Sequence, residues 1–137
     1  KDAVSLPVIV NGDICSIHDA REALRQSGAD GVMIGRGAYG RPWLLGQAMA
    51  ELGGGGVRPD PSLDEQLSTM LEQYEDMLGL YGTHTGVNLA RKHIGWYTKG
   101  LPGSAELRNK VNQQDDPKTV VAMLREFYAP WMSKAAA

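Results

Sequence analysis

The first regular element of the chain begins at Pro7-Val8-Ile9-Val10, a short apolar run that ends at the turn-forming residues Asn11-Gly12-Asp13. An unbroken apolar run that turn residues stop is typical of a parallel strand buried on both faces. Further along, Gly31-Val32-Met33-Ile34 repeats the pattern and ends at Gly35-Arg36-Gly37. Two such strands joined by a helix predict a parallel βαβ unit.

A helix is predicted between these two strands. Ser16 is a good N-cap, Ile17, Ala20 and Leu24 follow at helical spacing, and Gly28 is a typical stop. Two strands alone cannot cover their own faces or edges. We therefore expect the unit to belong to a larger sheet, and the chain, which opens at Lys1 without a methionine, to be a fragment of a longer protein.

After the second strand, a short helix near Pro42 leads to a Gly- and Pro-rich segment, residues 53–61, which has the composition of a linker. The rest of the chain has helical periodicity and predicts a small bundle of four helices. The predicted helices run from the capping box Ser62 to Glu65 up to Gly82, from about Thr85 to Lys99, from Ser104 through Val111, and from Asp116-Pro117 to a point before Pro130.

Composition limits the class of protein. The chain has 137 residues, of which 42% are hydrophobic and 22% charged, as in globular proteins. No apolar run approaches the ~20 residues of a membrane span, so we expect a soluble protein without a membrane partner. The single cysteine, Cys15, cannot form an internal disulfide and favours a reducing, cytoplasmic setting. It matches no metal-ligand spacing, and we expect no metal.

The net charge of −2 conceals two segments of opposite sign. Residues 60–82 contain six acidic side chains and no Lys or Arg, whereas residues 83–112 contain five Lys or Arg and only one Glu. The sequence therefore predicts one acidic and one basic surface.

The two glycine turns are the first candidate binding site. Both follow predicted parallel strands, and ligands bind at the carboxyl ends of such strands. Glycine lets backbone N–H groups approach an anion, a helix N-terminus attracts negative charge, and arginine adds a fork of donors. The pattern favours a phosphate site formed by Asn11, Gly12, Asp13, Gly35 and Arg36. The alternative is that the glycines only make tight turns and that Arg36 is a solvated surface charge.

The basic segment is the second candidate site. On a helix, Lys92, Trp96 and Lys99 would share one face, flanked by Arg91 and His93. Cations next to an aromatic ring suit contact with RNA phosphates and stacking on an unpaired base. The alternative is a solvated helix face whose tryptophan belongs to the bundle core. His93 has no second ligand one turn away, which argues against a metal site.

Taken with their flanks, these residues resemble a known family, the bacterial tRNA-dihydrouridine synthases. The resemblance is strongest to the B-type enzymes, which include the nitrogen-regulation-locus protein of purple bacteria. The segments that carry it, in order, are Pro7 to Asp13, Gly28 to Ala38, Gly40-Arg41-Pro42-Trp43, Ala90-Arg91-Lys92-His93, Trp96-Tyr97 and Lys99-Gly100. It is weakest over the linker and the last few residues.

The resemblance implies a mostly helical chain of α/β plus all-α class. Residues 1–52 would be the last two βα units of a TIM (β/α)8 barrel that binds FMN, residues 53–61 a linker, and residues 62–131 a helical tRNA-binding domain. The five residues of the glycine turns match the family's flavin-phosphate motifs, and Arg91, Lys92, His93, Trp96 and Lys99 match segments that face tRNA. Such enzymes reduce the C5–C6 double bond of uridine with NADPH.

The resemblance also implies that no catalytic residue lies in this chain. The family's proton-donating cysteine belongs to earlier barrel strands, and Cys15 matches a different position, for which we expect a small, buried or half-buried side chain. The chain alone should then be inactive and could self-associate through its exposed barrel faces. Two rival hypotheses remain open: another phosphate-binding flavin barrel with an unrelated helical extension, and a non-enzymatic RNA-binding module.

Overall fold

The structure is a computed structural model that describes residues 1–132, and it is mostly helical. The chain divides into two compact units, of which the first comprises residues 1–60 and the second begins at Pro61. Within residues 1–132, no helix is both long and apolar enough to cross a membrane.

The first unit contains two short parallel strands and two helices. Strand β1 (Ile9–Val10) pairs with β2 (Gly31–Val32) in the register that sets Ile9 opposite Gly31 and Val10 opposite Val32. Helix α1 (Ile17–Ser27) connects them, and a single 3-10 turn at residues 36–38 precedes helix α2 (Trp43–Leu52). The predicted βαβ order is confirmed, although both strands are shorter than the apolar runs that predicted them.

The strands are not buried on both faces within this chain, in agreement with the expectation that two strands alone cannot cover their own faces. Ile9 is 54% exposed and Met33, directly after β2, is 55% exposed. The physical reason is the width of the sheet, because two strands with one connecting helix leave part of the apolar surface without a neighbour. The buried side chains of this unit are Ile14, in the segment after β1, and Ala20, Leu44, Gln47 and Ala48 on the helices.

Local sequence signals account for the ends of α1. The Ser16 side chain accepts a hydrogen bond from the Asp19 N–H at 3.1 Å, and the Asp19 carboxylate accepts one from the Cys15 N–H at 3.0 Å. Hydrogen bonds from Ser16 and then Cys15 lower the pKa of Asp19. At the other end, Gly28 takes the left-handed conformation and its N–H bonds to the Leu24 carbonyl. The predicted cap and stop are both confirmed.

The Gly- and Pro-rich segment folds back against α2. The Gly55 N–H donates to the Ala50 carbonyl at 2.7 Å, and the buried Gln47 amide donates to the Arg58 carbonyl at 3.1 Å. Asp60 Oδ1 then accepts hydrogen bonds from Trp43 Nε1 and Gln47 Nε2, each at 3.0 Å. The segment is therefore anchored to the first unit along its length.

Up to residue 132, the second unit contains four helices that pack on one another around a continuous core. Helix α3 (Leu63–Tyr81) starts with the predicted capping box, in which Ser62 and Glu65 bond reciprocally. It packs along α4 (Thr83–Tyr97), followed by α5 (Ser104–Val111) and α6 (Pro117–Met132). The core side chains exposed by no more than 2% are Met70, Tyr74, Val87, Ala90, Ile94, Val111, Val120, Leu124 and Tyr128.

Two predicted helix boundaries are wrong. Helix α4 begins and ends two residues earlier than expected, because Gly82, with φ of 76°, turns the chain directly from α3 into α4. Helix α6 continues through Pro130 to Met132 instead of stopping before it. Proline removes one N–H near the end of the helix, where the loss is small, and Trp131 packs edge-to-face on Phe127 with ring centroids 5.1 Å apart.

Candidate functional site

The structure brings the two glycine turns together in one cleft. A cavity of about 300 Å³ is lined by Ile14 and Gly37 and by all five residues predicted to hold a phosphate, Asn11, Gly12, Asp13, Gly35 and Arg36. The turns are 24 positions apart in sequence and meet because β1 and β2 are adjacent parallel strands.

The cleft combines open space beside two glycines with one arginine side chain. A Cβ built at Gly12 or at Gly35 would meet no atom within 4 Å, so a side chain at either position would occupy open space in the cleft. The Arg36 guanidinium pairs with the Asp13 carboxylate, and both side chains are about three-quarters exposed. An exposed ion pair contributes little stability, so this guanidinium can exchange its partner for another anion at small cost. The residues present fit a phosphate group.

Asp13 forms the turn, as expected, and its backbone is unusual. Its φ of 44° lies in the left-handed region, where Asp and Asn are the commonest residues after glycine. Its carboxylate accepts a hydrogen bond from the Arg36 guanidinium. Asp13 therefore orients the arginine across the cleft.

Gly37 is a site residue that the sequence argument did not include. A Cβ built there would lie 2.9 Å from Cys15 Cα and closer still to the Ile14 carbonyl oxygen. Only glycine allows the second turn to approach the first this closely. The signal was present in the repeated glycine of Gly35-Arg36-Gly37, but sequence spacing could not show which glycine meets backbone and which borders open space.

Cys15 is exposed, and the expectation of a buried or half-buried side chain is wrong. Its N–H belongs to the cap of α1, and this position at the entry to the helix leaves the thiol on the outside of the unit.

The basic segment is divided between the end of α4 and the turn that follows. Lys92 is exposed on α4 and Trp96 is half-buried one turn later. The expected third member of this helix face, Lys99, is exposed but lies beyond the helix, which ends at Tyr97 because Thr98 closes it by donating to the Ile94 carbonyl at 2.8 Å. The structure therefore places Lys99 in the turn after α4 rather than on its face.

Arg91 and His93 are held by other parts of the second unit. The Arg91 guanidinium donates to Asn88 Oδ1 at 2.6 Å, to the Gln114 carbonyl at 3.0 Å and to Asp115 Oδ1 at 2.9 Å. It thus ties α4 to the connection between α5 and α6. His93 Nδ1 lies 3.2 Å from Gln73 Nε2 of α3, and its ring packs edge-to-face on Trp96 with centroids 4.9 Å apart. Burial lowers the pKa of His93.

Comparison with known proteins matches nearly all of these elements to one family. The sequence model of dihydrouridine synthase (Dus) covers residues 1–131, which include both glycine turns and the basic segment. The chain belongs to the dihydrouridine synthase family.

Individual members of the dihydrouridine synthase family agree with this assignment. The chain is 52% identical over 132 residues to a probable tRNA-dihydrouridine synthase of Rickettsia conorii, covering 96% of this chain and 40% of the relative. It is 44% identical to tRNA-dihydrouridine synthase B of Xanthomonas axonopodis pv. citri and 42% identical to that of Pseudomonas aeruginosa, covering 93% and 94% of this chain and 39% of each relative. The chain thus spans about 40% of the length of these relatives, and the resemblance to the B-type enzymes is confirmed.

Proposed function

We propose that this chain is the part of an FMN-dependent tRNA-dihydrouridine synthase that holds the flavin phosphate and contacts the tRNA. The observation that carries the proposal is the single cleft formed by Asn11, Gly12, Asp13, Gly35 and Arg36 in a member of this family. Residues 1–52 would form the last two βα units of a (β/α)8 barrel, residues 53–61 a connection, and residues 62–131 the tRNA-binding domain. The exposed apolar side chains of Ile9 and Met33 support this, because neighbouring barrel strands and helices would cover them.

The cleft residues would act on the phosphate end of the cofactor. The reaction that FMN supports in this setting is reduction of the uridine C5–C6 double bond with electrons from NADPH. Arg36 would donate to phosphate oxygens, and the exposed backbone at Gly12 and Gly35 would admit them closely. Asp13 would hold the guanidinium in position through its ion pair. None of these residues donates or accepts the protons of the reaction, and Cys15 would have no catalytic role.

The end of α4 would contact the tRNA. Lys92 and Lys99 are exposed cations suited to phosphates, and the half-buried Trp96 offers a ring for stacking. Arg91 would support this surface indirectly, because its guanidinium already bonds to Asn88 and Asp115. His93 would also belong to this tRNA-contacting surface.

A salt titration tests the RNA surface. We expect Lys92→Ala and Lys99→Ala, in the full-length protein, each to weaken binding of unmodified tRNA and to reduce the salt dependence by about one phosphate contact. Lys118→Ala is the control, because Lys118 is exposed in the first turn of α6, outside the basic segment. Filter binding at several salt concentrations measures both quantities. Equal affinities and equal slopes for all four proteins would show that these lysines are solvated surface charges.

Flavin retention tests the cleft. We expect Arg36→Ala to lower the FMN bound per protein and to leave tRNA affinity nearly unchanged. Arg25→Ala is the matched control, because Arg25 is also an exposed arginine of the first unit paired with an acid, Glu22. Flavin absorbance of the purified proteins gives the occupancy. Full FMN occupancy in Arg36→Ala, with the same FMN dissociation constant as wild type, would show that the cleft does not hold the FMN phosphate.

A further inference from the structure

A hydrogen bond between α3 and α4 determines which nitrogen of His93 carries its proton. Gln73 Nε2 lies 3.2 Å from His93 Nδ1 and joins residues 20 positions apart. An amide nitrogen can only donate a hydrogen bond. With the Gln73 amide in this orientation, Nδ1 accepts the hydrogen bond and the proton of the neutral ring is on Nε2.

The surroundings of His93 favour this neutral form. The residue is half-buried, and that burial lowers the pKa of the imidazole. The edge-to-face packing on Trp96, with planes at 72°, restrains the orientation of the ring. Among residues 1–132 no hydrogen bond engages Nε2, which leaves this N–H as the donor that the ring can offer to a ligand.

We propose that Gln73 is a positioning residue that fixes His93 as a neutral Nε2–H donor, and that this donor bonds to an acceptor oxygen or nitrogen of bound RNA next to Trp96. The inference rests on the proposed function, because it assumes that the end of α4 contacts tRNA. The proposed His93 contact with RNA differs from the lysine contacts in one measurable respect. A neutral donor releases no counterion, so it adds affinity without adding to the salt slope.

The chain offers a matched control on the same helix face. Gln66 lies two turns before Gln73 on α3, is also half-buried, and donates its amide to the Pro61 carbonyl at 2.8 Å. Gln66→Leu removes a half-buried amide from α3 as Gln73→Leu does, but leaves the imidazole untouched. A second variant, Gln73→Glu, keeps the polarity and replaces the donor with an acceptor, which should draw the proton to Nδ1.

Imidazole nitrogen NMR on the full chain tests the tautomer without RNA. The sequence has three histidines, and His93→Gln identifies the signals of His93. At neutral pH we expect protonated Nε2 and unprotonated Nδ1 in wild type and in Gln66→Leu, an average of both tautomers in Gln73→Leu, and a protonated Nδ1 in Gln73→Glu. A protonated Nδ1 or an averaged signal in wild type would overturn the assignment.

Filter binding with the full-length protein then tests the RNA contact. Loss of one neutral hydrogen bond should weaken tRNA binding about two- to tenfold in His93→Ala and in Gln73→Leu, with the salt slope of wild type. Gln66→Leu should bind as wild type does. Unchanged affinity in Gln73→Leu, with the tautomer lost, would overturn the positioning role. A wild-type protein that does not bind tRNA would instead refute the proposed function, and the NMR result would still decide the tautomer.

Discussion

The close approach of α4 to α3 gives a prediction that depends on a single carbon atom. A Cβ built at Gly86 would lie 2.8 Å from the Met77 carbonyl oxygen and 2.9 Å from Leu78 Cα, both of them backbone atoms that cannot rotate away. At Gly79, in the last turn of α3, the same atom would meet nothing within 4 Å. Gly86→Ala should therefore separate the two helices, and Gly79→Ala should not.

The difference in unfolding free energy between these two variants isolates the cost of the steric clash at residue 86. Each substitution gains up to ~1 kcal/mol of helix propensity, and this gain largely cancels when the variants are compared. Forcing α4 outward by several tenths of an ångström should cost about 1–3 kcal/mol. For a unit of this size, each kcal/mol lowers the melting temperature by roughly 4–8 °C.

Urea and thermal unfolding, followed by far-UV circular dichroism, measure this difference. We expect Gly79→Ala to be as stable as wild type or slightly more stable. The free energy of unfolding of Gly86→Ala should be lower than that of Gly79→Ala by about 1–3 kcal/mol. Because Gln73 and His93 bridge the same pair of helices, Gly86→Ala should also disturb the His93 signals. Equal stability of the two alanine variants would refute the close packing of α3 on α4.

Three further predictions concern other contacts. Gly37→Ala should push the two turns of the cleft apart and lower FMN occupancy in the full-length protein, and a flavin content equal to wild type would contradict it. Hydrogen bonding from Gln47 lowers the pKa of Asp60 below 3.8, so Asp60 stabilises the fold above about pH 4 and loses this contribution as the pH falls. Asp60→Asn should accordingly lower the melting temperature near neutral pH but not in strong acid. Arg91→Lys should cost about 1–3 kcal/mol in urea unfolding, because lysine cannot reproduce the forked contacts, whereas Arg108→Lys, at an exposed position, should cost little.

Elements with a local sequence signal were predictable. The ends of α1 follow from Ser16 and Gly28, and the start of α3 follows from Ser62 and Glu65, because caps satisfy backbone groups within a few residues. The meeting of the two glycine turns was also predictable, since parallel strands end on the same side of a sheet. The helix caps depend on short-range geometry, and the meeting of the turns depends on the strand pattern, both of which the sequence displays directly.

Features that depend on tertiary packing were not predictable. The end of α6 was misplaced because Phe127 and Trp131 pack across Pro130, an interaction that a rule about single prolines ignores. The distant partners of Arg91 and His93, which are Asp115 and Gln73, lie 24 and 20 residues away, and no spacing in the sequence indicates them. Lys99 was placed on a helix face that ends two residues before it.

The proposed function of the full-length protein is measured directly as dihydrouridine formation in tRNA. The assay follows, by mass spectrometry, the gain of two hydrogens per modified uridine, with NADPH present and with FMN and unmodified tRNA each varied. Wild type should form dihydrouridine, Arg36→Ala should recover its rate when FMN is raised, and Lys92→Ala should recover its rate when tRNA is raised. Absence of dihydrouridine in the wild-type reaction, or rescue of Arg36→Ala by tRNA instead of FMN, would contradict the account.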